Sequence, residues 1–448
     1  MSRRPVTTSV LLAGLLAVPG LTVFTFTASA APTVTHATTR ASVATRGTQA
    51  NGQSAGAAIS GDGRYVAFTS EGTNLVAGDT NDAQDAFVRD RTTGATNRVS
   101  ISSRGTQANS SSYGPAAISA NGRYVAFSSS ATNLVAGDTN GTADVFVRDR
   151  VTGTTTRVSI STRGAQANGG APAISADGRY VAFISSASNL VAGDTDGWQD
   201  VFVRDRISRT TTRASVATGG TQANRDSYGP AAISADGRYI AFGSDASNLV
   251  AGDTNGTSDV FVRDRVSGTT TRASVAVHGT QGNRVSAQPA ISANGRYVAF
   301  GSNASNLVAG DTNGIVDVFV HDRVAGATTR VDISTRGAQT AHADPDTTLE
   351  DSEQPTISAD GRYVAFLSGA GNLVTRDTNA ARDVFVRDRV AGTTTRASVA
   401  AAGTQANQRS SEPAISADGR YVTFFSDASN LVAGDTNGLS DVFVRAGP

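Results

Sequence analysis

The tripeptide Gly-Arg-Tyr occurs seven times, beginning at Gly63, Gly122, Gly178, Gly237, Gly295, Gly361 and Gly419, with spacings of 59, 56, 59, 58, 66 and 58 residues. A unit of this size cannot bury both of its own faces, so tandem copies must pack on one another, which restricts the chain to a repeat architecture. Each copy reads close to the second: Ala117-Ile118-Ser119-Ala120-Asn121-Gly122-Arg123-Tyr124-Val125-Ala126-Phe127, a polar loop, Asp144-Val145-Phe146-Val147-Arg148-Asp149-Arg150, then Thr155-Thr156-Arg157-Val158-Ser159-Ile160. These short segments, rich in Val, Ile, Phe, Tyr and Thr and bounded by Gly, Asn, Asp or Thr, predict four strands per unit. Asp-Gly or Asn-Gly joins the first two in every copy, as at Asp236-Gly237 and Asn294-Gly295, and such pairs accept the positive φ of a tight hairpin. The third and fourth are joined by short turns such as Val266-Ser267-Gly268-Thr269. Each unit is thus expected to be a four-stranded antiparallel meander.

Radial packing of seven meanders protects all but short edges, so the predicted fold is all-β, a seven-bladed β-propeller over residues 31–448. The runs Tyr-Val-Ala-Phe and Val-Phe-Val suit strands covered on both faces by neighbouring blades. A linear solenoid, the alternative, would need polar capping repeats, and none is read in the sequence. The repeat phase supports a closed ring. The first segment, Thr38-Thr39-Arg40-Ala41-Ser42-Val43, has fourth-strand character, and the last, Asp441-Val442-Phe443-Val444-Arg445, has third-strand character. The N-terminal strand is therefore expected to pair with the last blade, leaving no unpaired edges.

Residues 1–30 place Arg3 and Arg4 before an apolar stretch from Val10 to Phe24 and then Ala28-Ser29-Ala30, the pattern of a secretory signal peptide. The expectation is an exported protein, extracellular or in the cell envelope, with no membrane span after cleavage. All 38 basic residues are Arg and 38 acidic residues balance them, so nothing favours nucleic acid as a partner. The absence of Cys removes disulfides, thiolate metal sites and a cysteine nucleophile.

The segment Ser-Ala-Asp-Gly-Arg-Tyr-Val-Ala-Phe at Ser175 to Phe183, repeated from Ser416 to Phe424 with Thr423 for the second Ala, resembles the WD40-like repeat of the TolB family of β-propellers. Ala stands where that family has Pro. The resemblance implies a propeller used as a binding platform.

Features shared by all copies, such as Arg123, Arg157 and Asp144, are expected to be scaffold, and features of single blades are the candidates for function. In the loop between second and third strands, Asp138, Asn140 and Asp144 offer oxygen ligands at a spacing that suits calcium, and blade three offers the carboxylates of Asp194, Asp196 and Asp200. The competing reading is turn capping by Asp and Asn side chains, with no metal. The acidic insertion between blades five and six contains His342, Asp344 and Asp346, and together with His278 of the preceding inter-blade loop it is a candidate ligand site. His321 stands where other blades carry Arg and is expected to be a structural substitution. Trp198, the sole Trp, lies in the blade-three loop as a candidate stacking platform for a sugar ring or a partner.

No catalytic residue is assigned, because no nucleophile-base-acid constellation and no His-Glu-x-x-His helix is read in the sequence. The sequence favours a monomeric, non-enzymatic scaffold that binds a protein or glycan on its loop-rich face. A polysaccharide lyase or hydrolase and a calcium-stabilised structural envelope protein are the alternatives.

Overall fold

A computed structural model describes residues 36–341 and 351–447. The signal segment 1–30 and the residues His342, Asp344 and Asp346 lie outside the described residues. Seven four-stranded antiparallel sheets form the blades of a β-propeller. Blade one comprises Ser54–Ile59, Tyr65–Ser70, Asp85–Asp90 and Ala95–Arg98, paired in that order from the central channel outward. Helix among the described residues is limited to a single 3-10 turn at Val277–Gly279, and no helix there is long and apolar enough to cross a membrane.

The expected closure is present. Thr38–Arg40 pairs antiparallel with Asp441–Ala446 in the register Thr38 to Arg445 and Arg40 to Phe443, so the last blade takes its outer strand from the start of the chain. A second ring closes at the hairpin turns between first and second strands. There Gly61 N–H donates to Ala120 O, the same bond recurs from blade to blade, and Ala417 N–H returns to Gly61 O, seven bonds of 2.9–3.1 Å in a closed circle.

The core lies between blades. In each blade the Phe residues of the second and third strands are cross-strand partners, as Phe127 and Phe146 are, with ring centroids 5.7–6.0 Å apart. Val145 and Val147 of blade two pack against Val181, Phe183 and Phe202 of blade three, and equivalent clusters fill the other joints. That is why the second and third strands read as continuous apolar runs and not as alternating ones.

A repeated polar joint also explains the Gly-Arg-Tyr signature. Gly122 adopts φ 70° with its Cα against the Tyr65 ring of the preceding blade, where a Cβ would lie 2.1 Å from Cδ2. The same ring carries the guanidinium of Arg64 at 4.8 Å and that of Arg150, from blade two, at 4.4 Å. Arg64 in turn donates to Asp90 at 2.7 Å. The pattern lapses on both sides of blade seven: Gly447 follows Ala446 where the other blades have Asp-Arg, so Tyr363 keeps Arg362 at 4.8 Å but has no Arg from blade seven, and Tyr421 has Arg91 of blade one at 4.4 Å but lacks Arg420 of its own blade, which pairs with Asp418 instead.

Candidate functional site

The loops from second to third strand and the connectors between blades share one face of the disc, because both leave the same end of their strands. The shorter hairpin turns occupy the other. On the loop face every blade builds the same Arg–Asp bridge, joined in six of them by a Ser. In blade two Arg157, on the fourth strand, bridges Asp138 at 3.0 Å and Asp144 at 3.2 Å, and Ser159 Oγ donates to Asp144 Oδ1 at 2.5 Å. Arg40, Arg98, Arg213, Arg272, Arg330 and Arg396 each bridge an equivalent Asp pair. A guanidinium therefore sits between the two carboxylates that the loop spacing offered to a cation. Burial raises the Asp144 pKa, with the Ser159 hydrogen bond and Arg157 opposing.

The Asn of the loop makes an Asx turn, as Asn255 Oδ1 accepts Thr257 N–H at 3.1 Å, while its amide donates to the third-strand Asp and to a carbonyl of the following connector. Blades one, five, six and seven repeat that donation. Asn140 of blade two keeps the turn through Thr142 N–H at 3.4 Å.

Blade three departs from this pattern. Asp196 replaces the Asn, and the carboxylates of Asp194, Asp196 and Asp200 each place an oxygen within 4.8 Å of the others, an acidic triad that can hold a metal ion. Arg213 already bridges Asp194 at 3.3 Å and Asp200 at 2.9 Å, so Asp196 is the carboxylate in excess. Its Oδ2 accepts Gln222 Nε2 at 2.8 Å and its Oδ1 accepts Trp198 N–H at 3.2 Å. The latter bond is an Asx turn that presents the indole, which is 44% exposed, beside the triad.

His278 is exposed on the connector between blades four and five, at φ 70° in the 3-10 turn. Its expected companions in the acidic insertion fall outside the described residues. His321 is buried, and its Nδ1 meets Thr328 Oγ1 at 2.9 Å, where Arg148 of blade two reaches Thr155 Oγ1 at 3.1 Å; it is the structural substitution expected, and burial lowers its pKa.

Two features escaped the sequence reading. In blade five Asp332 takes the place of the Ser that in the other six blades donates to the third-strand Asp at 2.5 Å. Aligning the repeats on that Ser would have found it. Fully buried against Asp317, Asp332 has its pKa raised well above the usual carboxyl range by burial and by that neighbour's charge. The second is the lining of the central channel that radial packing implies, a cavity of about 550 Å³ walled by the first strands of all seven blades.

These features define a closed, seven-bladed β-propeller with an acid-and-arginine module on the loop face. Among solved structures it is similar to TolB from Acinetobacter baumannii, at 15% identity and TM-score 0.40, covering 77% of this chain and 63% of that one. It is also similar to oligogalacturonate lyase from Vibrio parahaemolyticus, at 10% identity and TM-score 0.50, covering 93% of this chain and 91% of that one. The β-propeller domain of the Trilobed protease from Pyrococcus furiosus, of open velcro topology, matches at 10% identity and TM-score 0.52, covering 89% of this chain and 96% of that one. At such identities the likeness is one of fold. The chain spans less than two thirds of the A. baumannii TolB. No protein-family model and no curated protein sequence matches.

Proposed function

We propose that the chain is an exported, non-enzymatic binding scaffold, acting as a monomer in the envelope or outside the cell, whose loop face engages a protein or glycan partner. The observation that supports this is the Trp198 indole, held out by the Asp196 turn on the one blade whose loop has Asp in place of the Asn. Rigid aromatic platforms beside acidic groups suit both sugar faces and protein hot spots. Because Trp198 is the only Trp, intrinsic fluorescence reads its surroundings directly. Titration with envelope glycans and with a periplasmic or secreted protein fraction should shift that emission, and Trp198→Ala should remove capture of the same partner. Retained capture in Trp198→Ala refutes the loop-face reading. Incubation with oligogalacturonate tests the lyase alternative, since β-elimination leaves an unsaturated uronate with strong ultraviolet absorbance.

The acidic triad of blade three favours a second reading, in which calcium stiffens that loop. Thermal unfolding with calcium and then with a chelator tests it, because a ligand bound by the native state alone raises the transition. Asp196→Asn, which converts blade three to the pattern of its neighbours, should abolish any such rise. An identical transition in both conditions refutes calcium binding. His278 with His342, Asp344 and Asp346 stays a candidate ligand site, tested by His278→Ala in the fluorescence titration.

A further inference from the structure

The half of the channel that leads to the hairpin-turn face is lined by Ala, Pro and one Ile from each blade, Ile59 through Ile415. Its polar groups gather in one sector. Each first strand carries a bulge there, and at the bulge position blades one and two have glycine at positive φ, Gly56 at 65° and Gly114 at 73°. Blades five, six and seven instead hold Gln288, Gln354 and Glu412 at φ 51–54°, a conformation that favours glycine. Their side chains form a relay. Gln288 Oε1 accepts Gln354 N–H at 2.8 Å, Gln354 Oε1 accepts Glu412 N–H at 3.1 Å, and Glu412 Oε2 accepts Gly56 N–H at 2.9 Å.

Two observations converge at the end of that relay. Among the described residues Glu412 is the one ionisable side chain in the lining, has no cationic partner, and leaves its Oε1 without a hydrogen bond. The ring of turns at the mouth has Ala in six blades and Gly61 in blade one, where a Cβ would come within 3.3 Å of the Ala120 Cβ and 3.4 Å of the Ala417 Cβ. The one gap in the methyl rim therefore adjoins the joint that holds the one carboxylate.

We infer that the channel is a binding site for a slender primary ammonium with an unbranched apolar body, entering on the turn face and pairing its charge with Glu412. A carboxylate facing an apolar cavity gains most from an oppositely charged group that also buries hydrocarbon. The site is separate from the loop face, so each reading stands or falls without the other.

The test is isothermal titration calorimetry of the full chain with n-hexylammonium, 1-hexanol and hexanoate. Hexylammonium should bind saturably at one site, hexanol at least about tenfold more weakly, and hexanoate not at all. Glu412→Gln should bring hexylammonium down to the level of hexanol. Glu412→Gly, which reproduces the bulge residue of blades one and two, offers a second variant compatible with the fold and should do the same. Equal binding of hexanol and hexylammonium, unchanged ammonium binding in either variant, or no saturable heat with hexylammonium overturns the inference.

Discussion

Replacing Asp332 with Ser would restore the residue found in the other six blades and should remove a proton from the folded protein. Asp332 faces Asp317, whose charge Arg330 Nη1 balances at 3.1 Å, with Asp311 at 3.4 Å from the same nitrogen. Thr340 donates to Asp317 at 2.9 Å, Asn313 donates to the same oxygen at 2.9 Å, and the Thr340 hydroxyl lies 3.5 Å from Asp332 Oδ2. One guanidinium cannot serve three carboxylates in a dry site, so Asp332 is held as the acid and takes over the donor role of Ser. The raised pKa fixes the sign: its contribution to stability is complete below the ordinary carboxyl pKa of about 4 and is lost as pH rises, at about 1.4 kcal/mol per pH unit, until its value in the fold is passed. For a chain of roughly 400 ordered residues that corresponds to about 1.5 °C of Tm per pH unit. Thermal unfolding of both proteins from pH 4 upward should show wild type falling relative to Asp332→Ser with that slope. Parallel curves, or a variant that loses stability faster than wild type, would refute the buried acid.

Other outcomes follow from the joints between blades. Gly122→Ala forces a Cβ into the Tyr65 ring at positive φ and should cost about 2–5 kcal/mol in denaturant unfolding, whereas Gly137→Ala, at the same φ with nothing within 4 Å, should cost only about 1–2 kcal/mol. Arg123, followed by the backbone N–H groups of Val151 and Thr152, holds Asp149 well below the usual carboxylate range, a contribution present above about pH 4 and lost as pH falls. Arg123→Ala should therefore move the midpoint of acid unfolding to higher pH while leaving the shape of the profile above pH 6 unchanged.

The blades were legible because their signals are local and repeated. Asp236-Gly237 announces its hairpin, and Tyr239-Ile240-Ala241-Phe242 has the apolar continuity of a strand buried on both sides. Even the closure could be read, since the phase of Thr38–Arg40 against Asp441–Ala446 is a property of order along the chain. The loop chemistry was half legible. Spacing alone brings Asp138 and Asp144 together, but the guanidinium between them comes from Arg157, thirteen residues beyond Asp144 and brought back by strand pairing. The channel sector was hidden for a different reason: Gln288, Gln354 and Glu412 look like ordinary polar positions until the bulge gives each a positive φ and turns it toward the neighbouring blade.

The pairing of Thr38–Arg40 with Asp441–Ala446 also sets how the ring answers to tension. Thr38 lies opposite Arg445, so both ends of the described chain leave the pair from the same side, and a pull between them peels the hydrogen bonds apart in succession without loading them together. The adjoining joint to blade six is one where Tyr363 lacks its second Arg, so once the strand is peeled that joint rests on its apolar cluster and its turn hydrogen bond with one cation contact fewer. Load applied across any other blade meets strands anchored by covalent turns at both ends. A propeller of this build is mechanically soft only along its own chain axis, and a partner that pulls on the first strand would open it like a zip.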